Sequence, residues 1–536
     1  MSEPATPEAG NMKPIKSDET TLSTLDLHAV SEESLSEVDA TPVSSVLETS
    51  RTSSHSSVDA PQTEHVVHLS SIEHCMPRAY IRICLAYRVP SDHQLEEAIA
   101  SLRTFVKKIV DAKPYLAGEI MDVKPPDRQA GRAEIRFTTN GYLNYPSVEV
   151  QTLLNSDGTA IEYEELDKAG LPPSRLRPED VSALPPNVDP QKSSPALRVR
   201  ANLVKGGLIV SFYLHHCVSD GTGFDLLTSG DLLNHDYAFS APTAFGDIDM
   251  SALNNRLEEW AQQKTHIRQK LSGVPSVLHH TRPIRARRLD QPAMPTNPPG
   301  RGCVLMVSGS DISALVHGLN NDPTIQSPHC HTTNSVLMAL LWRHMTCARR
   351  PSVQHNTDVK TSKLLLPVNI RSRLNESLPK GYFGAAVDFG KAELNLDTLT
   401  DLRETPLARI SAVIRQAVVD VDDAYVRQMI AFANTADAET DVHDIQASNM
   451  DRTNGADMYI TSWLTLRSYQ HHLGMGLGGP EWVRKPWSRD PGSCIILPRK
   501  STKPEYYEVV VQMTEVDMGR LLDDKGFMSY VTRVID

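Results

Sequence analysis

Apolar and polar positions alternate along 80-YIRICLAYRV-89. Ile81, Ile83, Leu85, Tyr87 and Val89 fall on one side and Arg82, Cys84, Ala86 and Arg88 on the other, the period of a strand with one buried face. The period then lengthens. Ser91 and Gln94 make a capping-box pair, and Leu95, Ile99, Leu102, Val106 and Ile109 recur at helical spacing. A hairpin is predicted where 197-LRVRANLV-204 alternates, Lys205-Gly206-Gly207 turns, and 208-LIVSFYL-214 runs apolar on both faces. Further on, 303-CVLMVS-308, 363-KLLLPVNI-370, 458-MYITSW-463, 493-SCIIL-497 and 506-YYEVVVQM-513 read as strands. Residues 310–319 and 333–350 read as helices, and a last helix is capped by Thr514.

Two stretches carry neither period. Residues 1–60 are rich in Ser, Thr, Glu and Asp, a composition that buries too little apolar surface to offset the entropy of ordering, so a disordered tail is expected. Residues 273–300 hold prolines 275, 283, 292, 295, 298 and 299, too many for a helix interior or a central strand. That segment is predicted to be a crossover linker, with 285-RARR-288 a solvated loop inside it. The predicted organisation is a tail (1–60), an N-terminal domain (61–272), the linker (273–300) and a C-terminal domain (301–536).

Length and composition agree with this division. The 536 residues exceed one ordinary core, and 40% hydrophobic with 22% charged residues is the balance of a globular protein. A net charge of −12 argues against a general nucleic-acid binder. No apolar run approaches the roughly 18 residues of a membrane span, and the first residues lack a secretory h-region, so a cytoplasmic protein with no membrane partner is expected. Seven scattered cysteines (75, 84, 217, 303, 330, 347 and 494) without CxxC pairs predict free thiols. The triplet His329-Cys330-His331 has no second cluster at zinc spacing, so no metal is expected.

The candidate chemistry lies in 211-SFYLHHCVSDGTGF-224. Imidazole accepts and returns a proton near neutral pH, and His216 falls where a buried strand gives way to a Gly-bearing loop, a placement suited to a general base. Strand alternation lets only one of His215 and His216 face a cavity, and His216 is the choice. Asp220 either pairs with the histidine or braces the loop through an ion pair elsewhere; spacing alone leaves both open. Gly221 and Gly223 would permit positive φ and a sharp exit. A Cys217 nucleophile lacks a third group to orient the pair. The letters of 474-GMGLGG-479 match a dinucleotide loop, but Pro480 and Pro486 exclude the helix that loop must open. His471-His472 is read as loop surface.

The string HHCVSDGTGF after a hairpin strand resembles the HHxxxDG signature of the BAHD acyltransferases, particularly the fungal trichothecene acetyltransferase-like branch. Other stretches fall in that family's order: residues 69–89, 334-NSVLMALLWR-343, 369-NIRSRLNESLPKGYFGAAV-387, 461-TSWLTLRSY-469 and residues 515–531, so the resemblance covers about 66–536. It implies an α/β (α+β) fold of two chloramphenicol-acetyltransferase-like domains with mixed sheets and flanking helices. It further implies an acyl-CoA-dependent O-acyltransferase of class EC 2.3.1, most simply an O-acetyltransferase acting on a hydroxyl of a fungal secondary metabolite. By the same resemblance His216 is the general base, Thr461 the oxyanion donor, and Trp463 and Gly221 line the substrate site. Asp220 would ion-pair with Arg371, or in second place Arg373, as a structural pair. The family's DFGWG loop corresponds to 472-HLGMG-476, which keeps Gly474 and Gly476 as structural glycines but replaces Asp, Phe and Trp by His472, Leu473 and Met475; the Asn of GYFGN is Ala385. The implied partners are acyl-CoA, most simply acetyl-CoA, as cosubstrate and a small alcohol as acceptor. Neither a resident cofactor nor a metal is implied, and a monomer is expected. Two other readings share the motif: a condensation-type domain using carrier-bound acyl groups, and a non-catalytic ligand-binding family member.

Overall fold

The computed structural model describes residues 64–123, 132–145, 147–184, 192–233, 278–280, 300–323, 325, 330–353, 359–374, 378, 381–435, 445–447, 455–487 and 491–536. The predicted tail and most of the predicted linker, RARR included, lie outside them. Within the linker range, Leu278–His280 is a short strand paired with Ile445–Ala447.

Two sheets organise the rest. A five-stranded sheet has the order Trp482–Arg484, Tyr80–Arg88, Gly207–His215, Leu197–Val204 and Glu149–Thr152, antiparallel except for the last pair. A seven-stranded sheet has the order Val387–Asn395, Thr361–Asn369, Met458–Ser462, Ser493–Ile496, Tyr506–Thr514, Gly300–Ser308 and Val531–Ile535, with Met458–Ser462 parallel to both neighbours. A smaller antiparallel sheet of four strands, Glu64–His68, Ala133–Thr138, Glu119–Asp122 and Ser194–Pro195, packs into the first core. The result is an α/β fold of two lobes built on mixed sheets.

Each sheet is closed by a helix that the periodicity located. Asp92–Ala112, capped by Ser91 accepting from the Gln94 amide at 3.3 Å, buries Leu102, Val106 and Ile109 against the first sheet. Thr333–Val353 is buried nearly all round and fills the core of the second sheet with Leu337, Leu341 and Trp342. One expectation needs correction. Tyr80–Arg88 has two buried faces, since Cys84 and Ala86 are as inaccessible as Ile83 and Leu85. A separate cluster of Tyr163, Leu166, Leu171, Leu176 and Trp482 covers the second face, and small residues leave it room.

The strand Trp482–Arg484 belongs by sequence to the C-terminal half and by pairing to the N-terminal sheet. It is pinned by Arg484, which donates to Glu508 on the other sheet at 2.8 Å and to the carbonyls of Gly170 and Leu171. Both charged side chains are almost fully buried. Tyr469 Oη donates to the second Glu508 oxygen at 2.7 Å, so the carboxylate is satisfied on both sides. Removing one member of such a pair strands the other charge. Glu508→Ala is expected to cost about 3–5 kcal/mol, read as a fall in urea midpoint, whereas Glu508→Gln, which keeps one acceptor oxygen for Arg484 and can donate its amide to Tyr469 Oη, is expected to cost less.

Candidate active site

The strand Gly207–His215 ends inside the protein, and a tight turn of residues 216–218 follows it. His215 is fully buried, edge-on to the Tyr80 ring, and its Nδ1 accepts from the Cys217 amide. His216 stands one residue beyond the strand, its amide donating to the Ala79 carbonyl at 2.8 Å and its ring half-buried. Nδ1 of His216 is buried without a hydrogen-bond partner. Burial lowers the pKa of His216 below 6.5, with the Asp220 carboxylate and backbone groups of His216 and Ser219 opposing the shift. The ring is therefore predominantly neutral at pH 7.

Asp220 is turned into the protein. It caps the helix Gly221–Ser229 by accepting from the Gly223 amide at 3.0 Å, and it is fully buried. Arg371 donates to it twice, Nη1 to Oδ2 at 2.7 Å and Nη2 to Oδ1 at 3.1 Å, and the Ala386 amide adds a fourth bond at 2.7 Å. The same guanidinium donates to the carbonyls of Tyr382 and Gly384, so one arginine ties the histidine turn to the segment 382–386. Arg373 lies in the same turn as Arg371, but the bonds to Asp220 come from Arg371.

The expectation of positive φ at Gly221 and Gly223 is overturned. Asp220 starts a helix there, and both glycines are part of its first turn. Gly223 is needed for closeness instead: a Cβ would overlap the Ser219 hydroxyl and sit 2.5 Å from the Phe383 carbonyl oxygen. The Ser219 hydroxyl donates to that carbonyl. Gly221 lies against the Trp463 indole, where a Cβ would rest 3.8 Å from the ring. Trp463 bridges the first core and the cluster of Val304, Ile495 and Val510 on the second sheet. Thr461 pairs with Ile495, so strand alternation puts it on the sheet face that carries this cluster and not on the face of Ile460.

A second clamp was missed by the sequence reading. Asp225, in the middle of the same helix, accepts from the Arg467 amide at 2.7 Å and from its Nε at 3.3 Å. His471 is not loop surface: it is buried, its Nδ1 is 2.8 Å from Thr228 Oγ1, and burial brings its pKa down to about 4. Only the exposed His472 fits the earlier reading. No signal in the sequence separates two adjacent histidines in a loop.

In 472-HLGMG-476, Leu473 and Met475 insert into the first core beside Val483, occupying apolar space. Gly474 and Gly476 have φ of 67° and 72°, a conformation that excludes most other residues. Ala385 is buried in the same core, where an Asn would bring polar atoms needing partners. His329 lies outside the described residues, while His331 Nδ1 shares a hydrogen bond with Ser411 at 3.0 Å. An open cavity of about 440 Å³ lined by Asp167, Tyr469, Pro480, Glu481, Trp482 and Lys500 lies away from His216. Trp482 pairs with Ala86, whereas His215 pairs with Tyr80, which puts the cavity about 20 Å further along the strand. Among the described residues no helix is long and apolar enough to cross a membrane.

This two-lobed fold with its histidine turn is that of a BAHD-type acyltransferase, class EC 2.3.1. The chain belongs to the Transferase family, whose model matches residues 174–528, and residues 79–229 match the trichothecene 3-O-acetyltransferase-like N-terminal domain. It is 23% identical over 516 residues to an O-acetyltransferase of Penicillium ochrochloron, covering 87% of this chain and 96% of the relative. It is also 23% identical over 485 residues to an eremophilane O-acetyltransferase of Penicillium roqueforti, covering 86% and 98%. Among solved structures, F. sporotrichioides TRI101 complexed with coenzyme A and T-2 superposes with a TM-score of 0.66 at 18% identity, covering 88% of this chain and all of that one. Vinorine synthase superposes with a TM-score of 0.51 at 13% identity, covering 88% and 97%.

Asp220→Ala removes both a helix cap and the counter-charge of Arg371. It is expected to cost about 3–5 kcal/mol, seen as a lowered urea midpoint, with Asp220→Asn, which keeps the cap, losing less.

Proposed function

We propose that this chain is an acyl-CoA-dependent O-acetyltransferase acting on a hydroxyl of a fungal secondary metabolite, through a ternary complex with His216 as general base. The observation that carries the reading is the division of labour in the histidine turn. His216 keeps a neutral, half-buried ring, while Asp220, which would otherwise lock that ring as an ion pair, is consumed by Arg371 and two backbone amides.

The chemistry follows from those positions. An acceptor hydroxyl gives its proton to His216 as its oxygen attacks the thioester carbonyl. Thr461, two residues before Trp463, donates a hydrogen bond to the developing oxyanion. The C–S bond then breaks, and the imidazolium returns the proton to the thiolate, leaving ester and free CoA. Trp463 and Gly221, in contact with each other, form the wall on which the acceptor rests. Two of the relatives are O-acetyltransferases of Penicillium species, which supports the choice of acyl group and acceptor atom.

The test is incubation of the purified protein with acetyl-CoA and a panel of alcohols, following CoA release and product mass. Acetylated product supports the proposal. Turnover with carrier-bound acyl groups alone, or binding without turnover, would overturn it. His216→Ala is expected to lower kcat/KM by about 10²–10⁴-fold with an unchanged thermal midpoint. In the wild type the acid limb of kcat/KM falls at a pH below 6.5, because a base with a depressed pKa stays neutral and active to lower pH.

A further inference from the structure

Segment 382–386 has a second acidic neighbour besides Asp220. Glu73 sits in the short helix Ser71–Cys75 and is fully buried. Its Oε2 accepts from the Ser70 amide at 2.7 Å, closing a capping box, while Oε1 is buried without a hydrogen-bond partner. That oxygen rests directly on Gly384: a Cβ there would collide with it, and would lie 2.6 Å from Tyr382 Oη. Gly384 in turn gives its carbonyl to Arg371, the residue that holds Asp220. Ile72, beside Glu73, packs against both lobe cores.

We propose that Glu73 is a positioning residue for the histidine turn, bracing segment 382–386 as a neutral carboxylic acid. The role rests on the acyl-transfer reading for its catalytic consequence. Glu73 and Asp220 both lie against this one segment, and two carboxylates so placed repel in a dry setting; a neutral Glu73 leaves the Asp220–Arg371 pair undisturbed. Burial, with Asp220 adding to it, pushes the Glu73 carboxyl from 4.5 up to about 7. The other charged or titratable groups around it are Tyr382 on the segment, Tyr115, Cys217 of the histidine turn, and Arg78, which donates to Cys217 at 2.8 Å. Asp388 faces Cys75 on the same short helix and is also pushed up to about 7. An acid whose pKa is raised on folding stabilises the fold fully below its unfolded value and loses that contribution as pH rises through the folded one, here between 4.5 and about 7.

Glu73→Gln, which mimics the neutral acid, separates Glu73 from Asp388. The proposal expects the variant to melt with the wild type at pH 4.5 but several degrees higher at pH 8.5. It also expects the wild-type kcat to fall several-fold between pH 6.5 and 8.5 at unchanged KM, with that fall abolished in the variant. The protonated-carboxyl C=O absorption in the infrared spectrum at pH 5.5 should lose intensity on the substitution, the band that remains being that of Asp388. Glu73→Leu, which leaves the Ser70 amide unpaired, should lower kcat at every pH. Melting and infrared readouts stand even without turnover, so failure of the acyl-transfer reading is distinguishable. Identical pH dependence of melting in wild type and Glu73→Gln, or no change in the carboxyl band, overturns the proposal.

Discussion

The geometry of the histidine turn depends on one buried ion pair. Asp220 ends the turn that presents His216 and starts the helix behind it, and its carboxylate is filled by Arg371, the Ala386 amide and the Gly223 amide. Burying a carboxylate is unfavourable unless every lone pair finds a donor, and here the donors come from both halves of the chain. The histidine turn of the first lobe is thus set by residues of the second. The pairing also explains the electrostatics of His216. With Asp220 satisfied elsewhere, desolvation is left as the largest influence on the imidazole, and the ring stays neutral.

Segment 382–386 is the surface through which this constraint passes between lobes. Tyr382 and Ala386 pack into the core of the seven-stranded sheet, whereas Phe383 and Ala385 pack into the core of the five-stranded one. Such alternation is that of an extended strand with a different core on each face. Its backbone carbonyls face Arg371 and Ser219. A segment shared in this way has little freedom to shift without opening both cores. The close contacts at Gly223 and Gly384 are the places where it meets its neighbours without room for a side chain.

The same interlocking recurs at the far end of the strand Tyr80–Arg88. There the second half of the chain lends Trp482–Arg484 to the first sheet, and Arg484 is anchored across the boundary by Glu508. Leu473 and Met475 follow the same course into the first core. Departures from the family's loop motif at these positions replace aromatic residues with aliphatic ones that fill apolar space. With the Asp225–Arg467 contact, these links tie the two halves of the chain together at several points within the described residues.

Local pattern alone determined the strands and helices whose signal is carried by their own side chains: the alternation of 80–89 and 197–204, the helical spacing after Ser91, and the caps at Ser91 and Thr514. Periodicity is a property of neighbouring residues and needs no partner to be read. It also placed His216 at the end of a buried strand. Tertiary structure alone decided what covers the second face of Tyr80–Arg88, that His471 is core while His472 is solvent, and that Trp482–Arg484 joins the first sheet, and it is where Arg371, named first by the family resemblance, reaches Asp220. Each of these is a contact between residues roughly 80 to 400 positions apart, fixed by which surfaces fit and which buried charges find donors. Nothing in the neighbouring residues encodes the partner.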